Sequence, residues 1–219
     1  MVTYQLGVDE AGKGPALGPM VAAAVRADEG DLPDGIDDSK RLTVATRESI
    51  ATQLHESSAV AVGLGVITTG EIDDPETDMN GLTVAAQVRA LGDVAADDDH
   101  ALVDAGDVSE SRFARRVADG IDENGVDIDV TAEHGADEAS RLVGAASIVA
   151  KVERDSRIDA LDENYDRDIG SGYPSDPTTR EFLADYVDGH GELPACARRS
   201  WSTCEDVLAA AEQSGLADF

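Results

Sequence analysis

Short apolar runs separated by helix-length segments constrain this chain more than any other feature. Residues 20–25 read Met-Val-Ala-Ala-Ala-Val without a polar break, and 59–67 are rich in Val, Ala and Gly. Runs of that length suit buried strands, whereas a helix needs ten or more residues. Residues 4–8, 100–103 and 128–132 read the same way; the first ends at Asp9, the second at Asp104, and the third leads into 133–137. Between them, 43–55, 82–91 and 109–117 carry helical spacing, the last with Ser109 as its N-cap. The strongest helix covers 139–161, with Leu142, Ala145, Val149 and Val152 on one face and Ser147, Lys151 and Arg154 on another. Gly and Pro break the pattern over 170–177, and helices near 179–187 and 201–212 close the chain. Strands interleaved with helices predict an α/β core over 1–165, followed by a small helical C-terminal extension over 166–219.

A chain of 219 residues buries enough apolar surface to fold without a disulfide or a structural metal. Cys196 and Cys204 lack Cys-x-x-Cys spacing and read as two reduced thiols of a cytoplasmic protein. No basic stretch or long apolar run precedes Asp9, so no signal peptide is expected. No window reaches the uninterrupted apolar length of a membrane span.

Acids number 46 against 17 bases, a net charge of −29. Disorder is one reading of such a balance, but 42% hydrophobic residues with clear periodicity argue against it. The other is adaptation to molar salt, where the Debye length shrinks to about 3 Å and surface repulsion is screened. Lysine has almost vanished, leaving only Lys13, Lys40 and Lys151, a pattern that fits an extreme halophile. Nucleic-acid binding normally draws on counterion release by Lys and Arg. In molar salt both that gain and the opposing repulsion fade, so net charge does not rule out a polyanionic substrate.

Acids stand where the strands end: Asp9 with Glu10, Asp104, and Asp137 beyond 128–132. Crowded carboxylates raise one another's pKa, and a divalent cation with hard oxygen ligands, Mg²⁺ or Mn²⁺, relieves them. With 46 acids in the chain, position alone does not separate these from solvated surface residues. Gly7-x₄-Gly12-Lys13 imitates a phosphate-binding P-loop, but Gly14 stands where that loop needs Ser or Thr, and Pro15 and Pro19 interrupt the helix that should follow.

The local motifs are more specific. Gly7-Val8-Asp9-Glu10-Ala11-Gly12-Lys13-Gly14-Pro15, running on to Gly18-Pro19, resembles the N-terminal signature of ribonuclease H type II. So do Asp38-Ser39-Lys40-Arg41-Leu42, Met79-Asn80 and Val103-Asp104-Ala105-Gly106-Asp107-Val108. Glu133-His134-Gly135-Ala136-Asp137 resembles a further acidic motif, although archaeal members usually carry Lys at the position of Gly135. Ala145-Ala146-Ser147-Ile148-Val149-Ala150-Lys151-Val152, with Arg154-Asp155, and Gly170-Ser171-Gly172-Tyr173-Pro174-Ser175-Asp176-Pro177 match as well. All three lysines of the chain fall inside these motifs.

The resemblance implies a ribonuclease H-like mixed β-sheet flanked by helices, completed by the C-terminal region. It implies that Asp9, Glu10, Asp104 and Asp137 hold Mn²⁺ or Mg²⁺, with Asp107 and Asp155 as competitors for the fourth position. Gly12, Lys13 and Gly14 are expected to sense a ribose 2′-hydroxyl, Tyr173 to stack on the sugar, and Ser39, Lys40, Ser147, Lys151 and Arg154 to meet phosphates. The implied activity is endonucleolytic cleavage of RNA–DNA hybrids, and 5′ to ribonucleotides embedded in duplex DNA, by a monomer. Gln213-x-x-Leu216-x-x-Phe219 resembles a sliding-clamp-binding peptide without its second aromatic. Ribonuclease H type III specificity and a non-catalytic hybrid-binding or cation-binding module are the alternatives.

Overall fold

The computed structural model describes residues 5–36 and 42–217, with side chains of the last helix to residue 213. The backbone forms two compact units. The first comprises Met1–Ala11, Met20–Ile67 and Met79–Arg154, and the second Gly12–Pro19, Thr68–Asp78 and Asp155–Phe219.

The first unit is built on a five-stranded sheet of order β3-β2-β1-β4-β5. Its strands are β1 (Leu6–Ala11), β2 (Met20–Arg26), β3 (Ala61–Ile67), β4 (His100–Asp104) and β5 (Asp129–Glu133). β1, β2 and β3 pair antiparallel, while β4 runs parallel to β1 and β5 parallel to β4. Helices α1 (Val44–Glu56), α3 (Met79–Gly92), α4 (Glu110–Asp122), α5 (Ala136–Ala139) and the first part of α6 (Arg141–Asp162) belong to this unit, while α2 (Thr69–Ile72) belongs to the other. The mixed sheet flanked by helices agrees with the fold expected from the motifs.

Alternation of side chains across the sheet assigns each helix its layer. Ala23 and Val25 of β2 share a buried core with Ile50, Ala51 and Leu54 of α1 and with Leu142, Ala145, Ile148 and Val149 of α6. On the opposite face α3 lies against β3 at main-chain distance. A Cβ on Gly65 would stand 1.8 Å from the Ala86 carbonyl oxygen, and one on Gly63 2.1 Å from that of Ala90. Glycine is required there because backbone meets backbone. Gly7 of β1 does the same for α6, since a Cβ there would fall 2.2 Å from the Leu142 carbonyl carbon.

The second unit gathers α2, the end of α6, α7 (Pro177–His190) and α8 (Ser202–Ala217). Its core joins Leu17, Ile158, Ile169, Phe182, Leu183, Val187 and Leu193. Tyr165 sets its ring edge-on to Phe182 at 5.0 Å and to Tyr186 at 5.9 Å, a favoured arrangement for aromatic quadrupoles. Asp176 caps α7 by accepting from Thr178 N–H at 3.0 Å, with Pro177 in the first turn. Cys196 and Cys204 are buried free thiols. Among the described residues no helix is long and apolar enough to cross a membrane.

Candidate active site

β1 carries Asp9 and Glu10 in succession, so the strand's twofold period sends their side chains to opposite faces. Asp9 shares its face with Gly7, the α6 side. From Val143, beside Gly7, to Ser147 the helix rises about 6 Å, while Gly7 to Asp9 spans about 6.6 Å of strand. Helix and strand therefore stay abreast, and Ser147 meets Asp9 in a hydrogen bond. Lys151, one turn on, donates from Nζ to Ser147 Oγ at 2.6 Å. An ammonium only donates and an ionised carboxylate only accepts, so when Asp9 is ionised the Ser147 hydroxyl proton points at it. Glu10 faces α3, where Gln87 Nε2 donates to Glu10 Oε2 at 2.8 Å and to the Asp104 carbonyl at 3.1 Å.

Asp104 ends β4. Val8 pairs with Val103, so Asp9 and Asp104 follow one step further on adjacent parallel strands. Asp104 Oδ1 accepts from Ala136 N–H at 2.9 Å. Asp137 is the next residue, half-buried in the first turn of α5, after Gly135 at φ 69°. Burial, then the charge of Glu10, and further that of Asp104, push the Asp9 carboxyl up to about 8, against partial relief from Ser147 and the Glu10 N–H. Asp9 is 7% exposed, so solvent does little to quench this repulsion.

Of the two competitors for the fourth position, Asp107 is held by Arg112 through bonds of 2.6 to 3.0 Å, which keep its carboxyl below the ordinary range. Asp155 is exposed on α6. Among the described residues no three His, Cys, Asp or Glu side chains already converge as a ready cage for a metal ion. Magnesium-type sites commonly use one or two carboxylates and leave other positions to water and phosphate. Asp9, with Glu10 and Asp104 near it, would offer hard oxygen donors of the kind a divalent cation takes.

In the second unit, Gly12–Pro19 forms a loop with Gly12 at φ 90° and Gly18 at φ 77°. Gly14 is different, because its φ is ordinary and a Cβ would meet nothing within 4 Å. Neither a positive φ nor crowding demands glycine at 14. Ala16 and Leu17 N–H groups bind the Gly172 carbonyl at 2.8 and 3.2 Å, tying this loop to the turn that bears Tyr173. Tyr173 is 38% exposed.

Lys151 is half-exposed, whereas Ser147 and Arg154 behind it are buried at 1% and 3%. Ser39 and Lys40 lie outside the described residues, as does Phe219; Gln213 is exposed on α8, and the Leu216 side chain is not described. Two residues were not anticipated. Gln87 is wholly buried, and its signal was legible: a long polar side chain between Val84 and Leu91 on the apolar face of α3. Arg198 is also wholly buried and had no comparable signal beyond lying three residues before the only tryptophan, Trp201.

A mixed sheet of this order, with acids toward the carboxyl ends of two adjacent central strands, has the ribonuclease H-like fold. A family model for ribonuclease HII matches residues 6–204, and a ribonuclease HII of Haloarcula marismortui is 62% identical over 98% of this chain and 100% of its own. The chain belongs to the ribonuclease HII family and is an endoribonuclease. Among solved structures, ribonuclease H2 from Pyrococcus horikoshii OT3 superposes with a TM-score of 0.85 at 36% identity, covering 95% of this chain and 98% of its own. An Archaeoglobus fulgidus ribonuclease HII, solved in complex with PCNA, gives 0.80 at 34% identity over 91% of this chain and 96% of its own. Bst-RNase HIII, solved with Mn²⁺, shares the fold at TM-score 0.76 and 23% identity, covering 95% of this chain and 70% of its own.

Proposed function

We propose that the protein hydrolyses the RNA strand of RNA–DNA hybrids and cuts 5′ to single ribonucleotides in duplex DNA, leaving 5′-phosphate and 3′-hydroxyl ends. The carrying observation is the buried Asp9 placed with Glu10 on β1 beside Asp104 on the adjacent parallel strand β4, hard oxygen donors suited to a divalent cation. Asp9, Glu10, Asp104 and Asp137 would hold Mn²⁺ or Mg²⁺. When bound, such an ion supplies a Lewis acid and an activated water for phosphodiester hydrolysis.

The protein's own residues do the rest. Ser147 and Lys151 fix the orientation of Asp9, and Gln87 that of Glu10. Lys151, with Lys40 and Ser39, meets phosphate, while Arg154 supports this helix face from behind. Gly12, Lys13 and Gly14 present main-chain groups to the 2′-hydroxyl, the atom by which a protein tells RNA from DNA, and Tyr173 stacks on the adjoining sugar. The protein works as a monomer in the cytoplasm, a compartment in keeping with its free thiols Cys196 and Cys204. Its Gln213–Leu216–Phe219 tail engages a sliding clamp, as suggested by the relative solved with PCNA.

The test is a duplex carrying one ribonucleotide, incubated with Mn²⁺ in molar KCl. Cleavage on its 5′ side is expected. Cleavage confined to longer RNA tracts would indicate type III specificity, and binding without cleavage would overturn the reading. Gly14→Ala is expected to fold as the parent does and to lose at least about tenfold in kcat/KM on that substrate, since one crowded contact of ~1.4 kcal/mol suffices.

A further inference from the structure

Among the described residues, Arg198 holds the largest fully buried side chain, with no measurable exposure. Burying a guanidinium is unfavourable unless its donors are met. Here each nitrogen finds a carbonyl of one loop. Nε donates to Gly18 O at 2.9 Å, Nη1 to Lys13 O at 3.0 Å and Nη2 to Gly12 O at 2.6 Å. Its main chain reaches the same loop, as Arg198 N–H donates to Ala16 O at 2.8 Å and Gly18 N–H to Cys196 O at 2.8 Å. The guanidinium carbon stands 5.0 Å from the Trp201 ring centre, and Trp201 Nε1 donates to Gly14 O at 3.2 Å. Asp73 anchors the turn that carries both, accepting from Arg199 N–H, Ser200 N–H and Ser200 Oγ at 2.7 to 2.9 Å.

This arrangement fixes more than the position of the loop. No peptide bond here is cis. Across a trans peptide the carbonyl and the following N–H point in opposite directions. Holding the carbonyls of Gly12 and Lys13 on the Arg198 side therefore turns the N–H groups of Lys13 and Gly14 to the other side. A planar fork with donors on three nitrogens can hold three carbonyls at once; a lysine ammonium presents a single point.

We propose that Arg198 is a positioning residue for ribonucleotide recognition. It sets the peptide planes of the Gly12–Gly14 segment so that their N–H groups face a ribose 2′-hydroxyl, with Trp201 and Asp73 holding Arg198 in register. The proposal rests on the ribose-sensing role given above to Gly12–Gly14. It extends that role to a side chain that touches neither substrate nor metal.

The experiment compares binding of two duplexes by the full chain, one all-DNA and one carrying a single ribonucleotide. Fluorescence anisotropy in molar KCl with Ca²⁺ gives the ratio of the two dissociation constants. Loss of folded protein lowers the active fraction but leaves that ratio unchanged, so a merely structural role would not move it. Arg198→Lys is expected to shrink the ratio about tenfold or more, and Trp201→Phe about threefold, as one to two hydrogen bonds are lost. A parent protein that binds both duplexes equally would remove the ribose-sensing reading itself. A discriminating parent with Arg198→Lys retaining its full ratio would overturn the Arg198 assignment. Should Arg198→Lys fail to fold by circular dichroism, Trp201→Phe decides, and full discrimination in that variant overturns the assignment equally.

Discussion

Three buried aspartates divide into two kinds. Asp99 and Asp107, 5% and 6% exposed, each meet an arginine: Arg26 at 2.8 Å and Arg112 at 2.6 Å. Burial works to raise Asp99, but the bonds from Arg26 and Ala96 N–H outweigh it, and Arg112 dominates at Asp107, so both titrate low. Asp9, 7% exposed, meets a hydroxyl and two other acids and is driven up to about 8. Similar residue exposure with opposite titration shows that exposure alone does not mark the candidate site. Asp9 is raised first by burial and then by the neighbouring acids, while an arginine answers each of the others. What acts on the buried Asp9, besides the Ser147 hydroxyl and the Glu10 N–H, is the charge of two further acids, Glu10 and Asp104.

The sharpest way to break this contrast is to neutralise each acid in turn. Asp9→Asn, Glu10→Gln and Asp104→Asn are each expected to lower Mn²⁺-dependent cleavage by roughly 10²–10³-fold or more, the scale on which electrostatic groups in active sites act. Full activity in Asp9→Asn would sink the metal-site reading. Asp107→Asn, by contrast, should leave Mn²⁺ affinity by calorimetry within about twofold, because Arg112 and not a cation is its partner.

Next in size is the polar contact behind Glu10. Gln87→Leu removes the donor to Glu10 and Asp104, and a drop of about 10–100-fold in activity is expected, as for residues that orient metal ligands. Stability should change little, because Gln87 Oε1 is buried without a hydrogen-bond partner, and leucine removes that burden along with the useful bond.

The smallest effect is on stability, and its sign separates the two kinds of aspartate. Asp9 has a folded pKa of about 8 against an ordinary 3.8, so the folded state holds its proton more tightly than the unfolded chain. Its contribution is fully present below about pH 4 and lost as pH rises through 8. In chelator, thermal unfolding should show the melting temperature falling across that window, with Asp9→Asn flattening the fall. At pH 8 the variant should be more stable than the parent by about 1–2 kcal/mol, or a few degrees. Asp107 is depressed, so its contribution is present above the ordinary carboxylate range and is lost as pH falls through its folded value; Asp107→Asn should destabilise at neutral pH.

Much of this was legible in the chain itself. The five strand segments lie close to their expected bounds, because length and periodicity survive in any context. Helices α4 and α8 run on to Asp122 and Ala217, past the expected ends at 117 and 212. β1 runs on to Ala11, past the expected end at Val8, because pairing of Asp9, Glu10 and Ala11 with Ala23, Ala22 and Val21 overrides the poor strand propensity of acids. α2 and α5 are single turns, too short for a period to show, although Thr68 and Glu71 spell a capping box that announces the first. Strand order depends on long-range pairing and left no local trace. The acids and the glycine loop could be singled out because their motifs are contiguous. Arg198 was not, because its meaning comes from carbonyls about 180 residues earlier in the chain.

Gly7 shows how little chemistry an inactivating change requires. Its α-carbon lies where β1 and α6 touch through their main chains, with the Leu142 carbonyl carbon 2.2 Å from where a methyl group would sit. Alanine at that position would act as a wedge, lifting the helix that carries Ser147 and Lys151 away from Asp9. For heredity, the active site is thus a wider target than its acids: a single hydrocarbon group, two residues upstream and without charge or polarity, could silence it while every acid stayed in place.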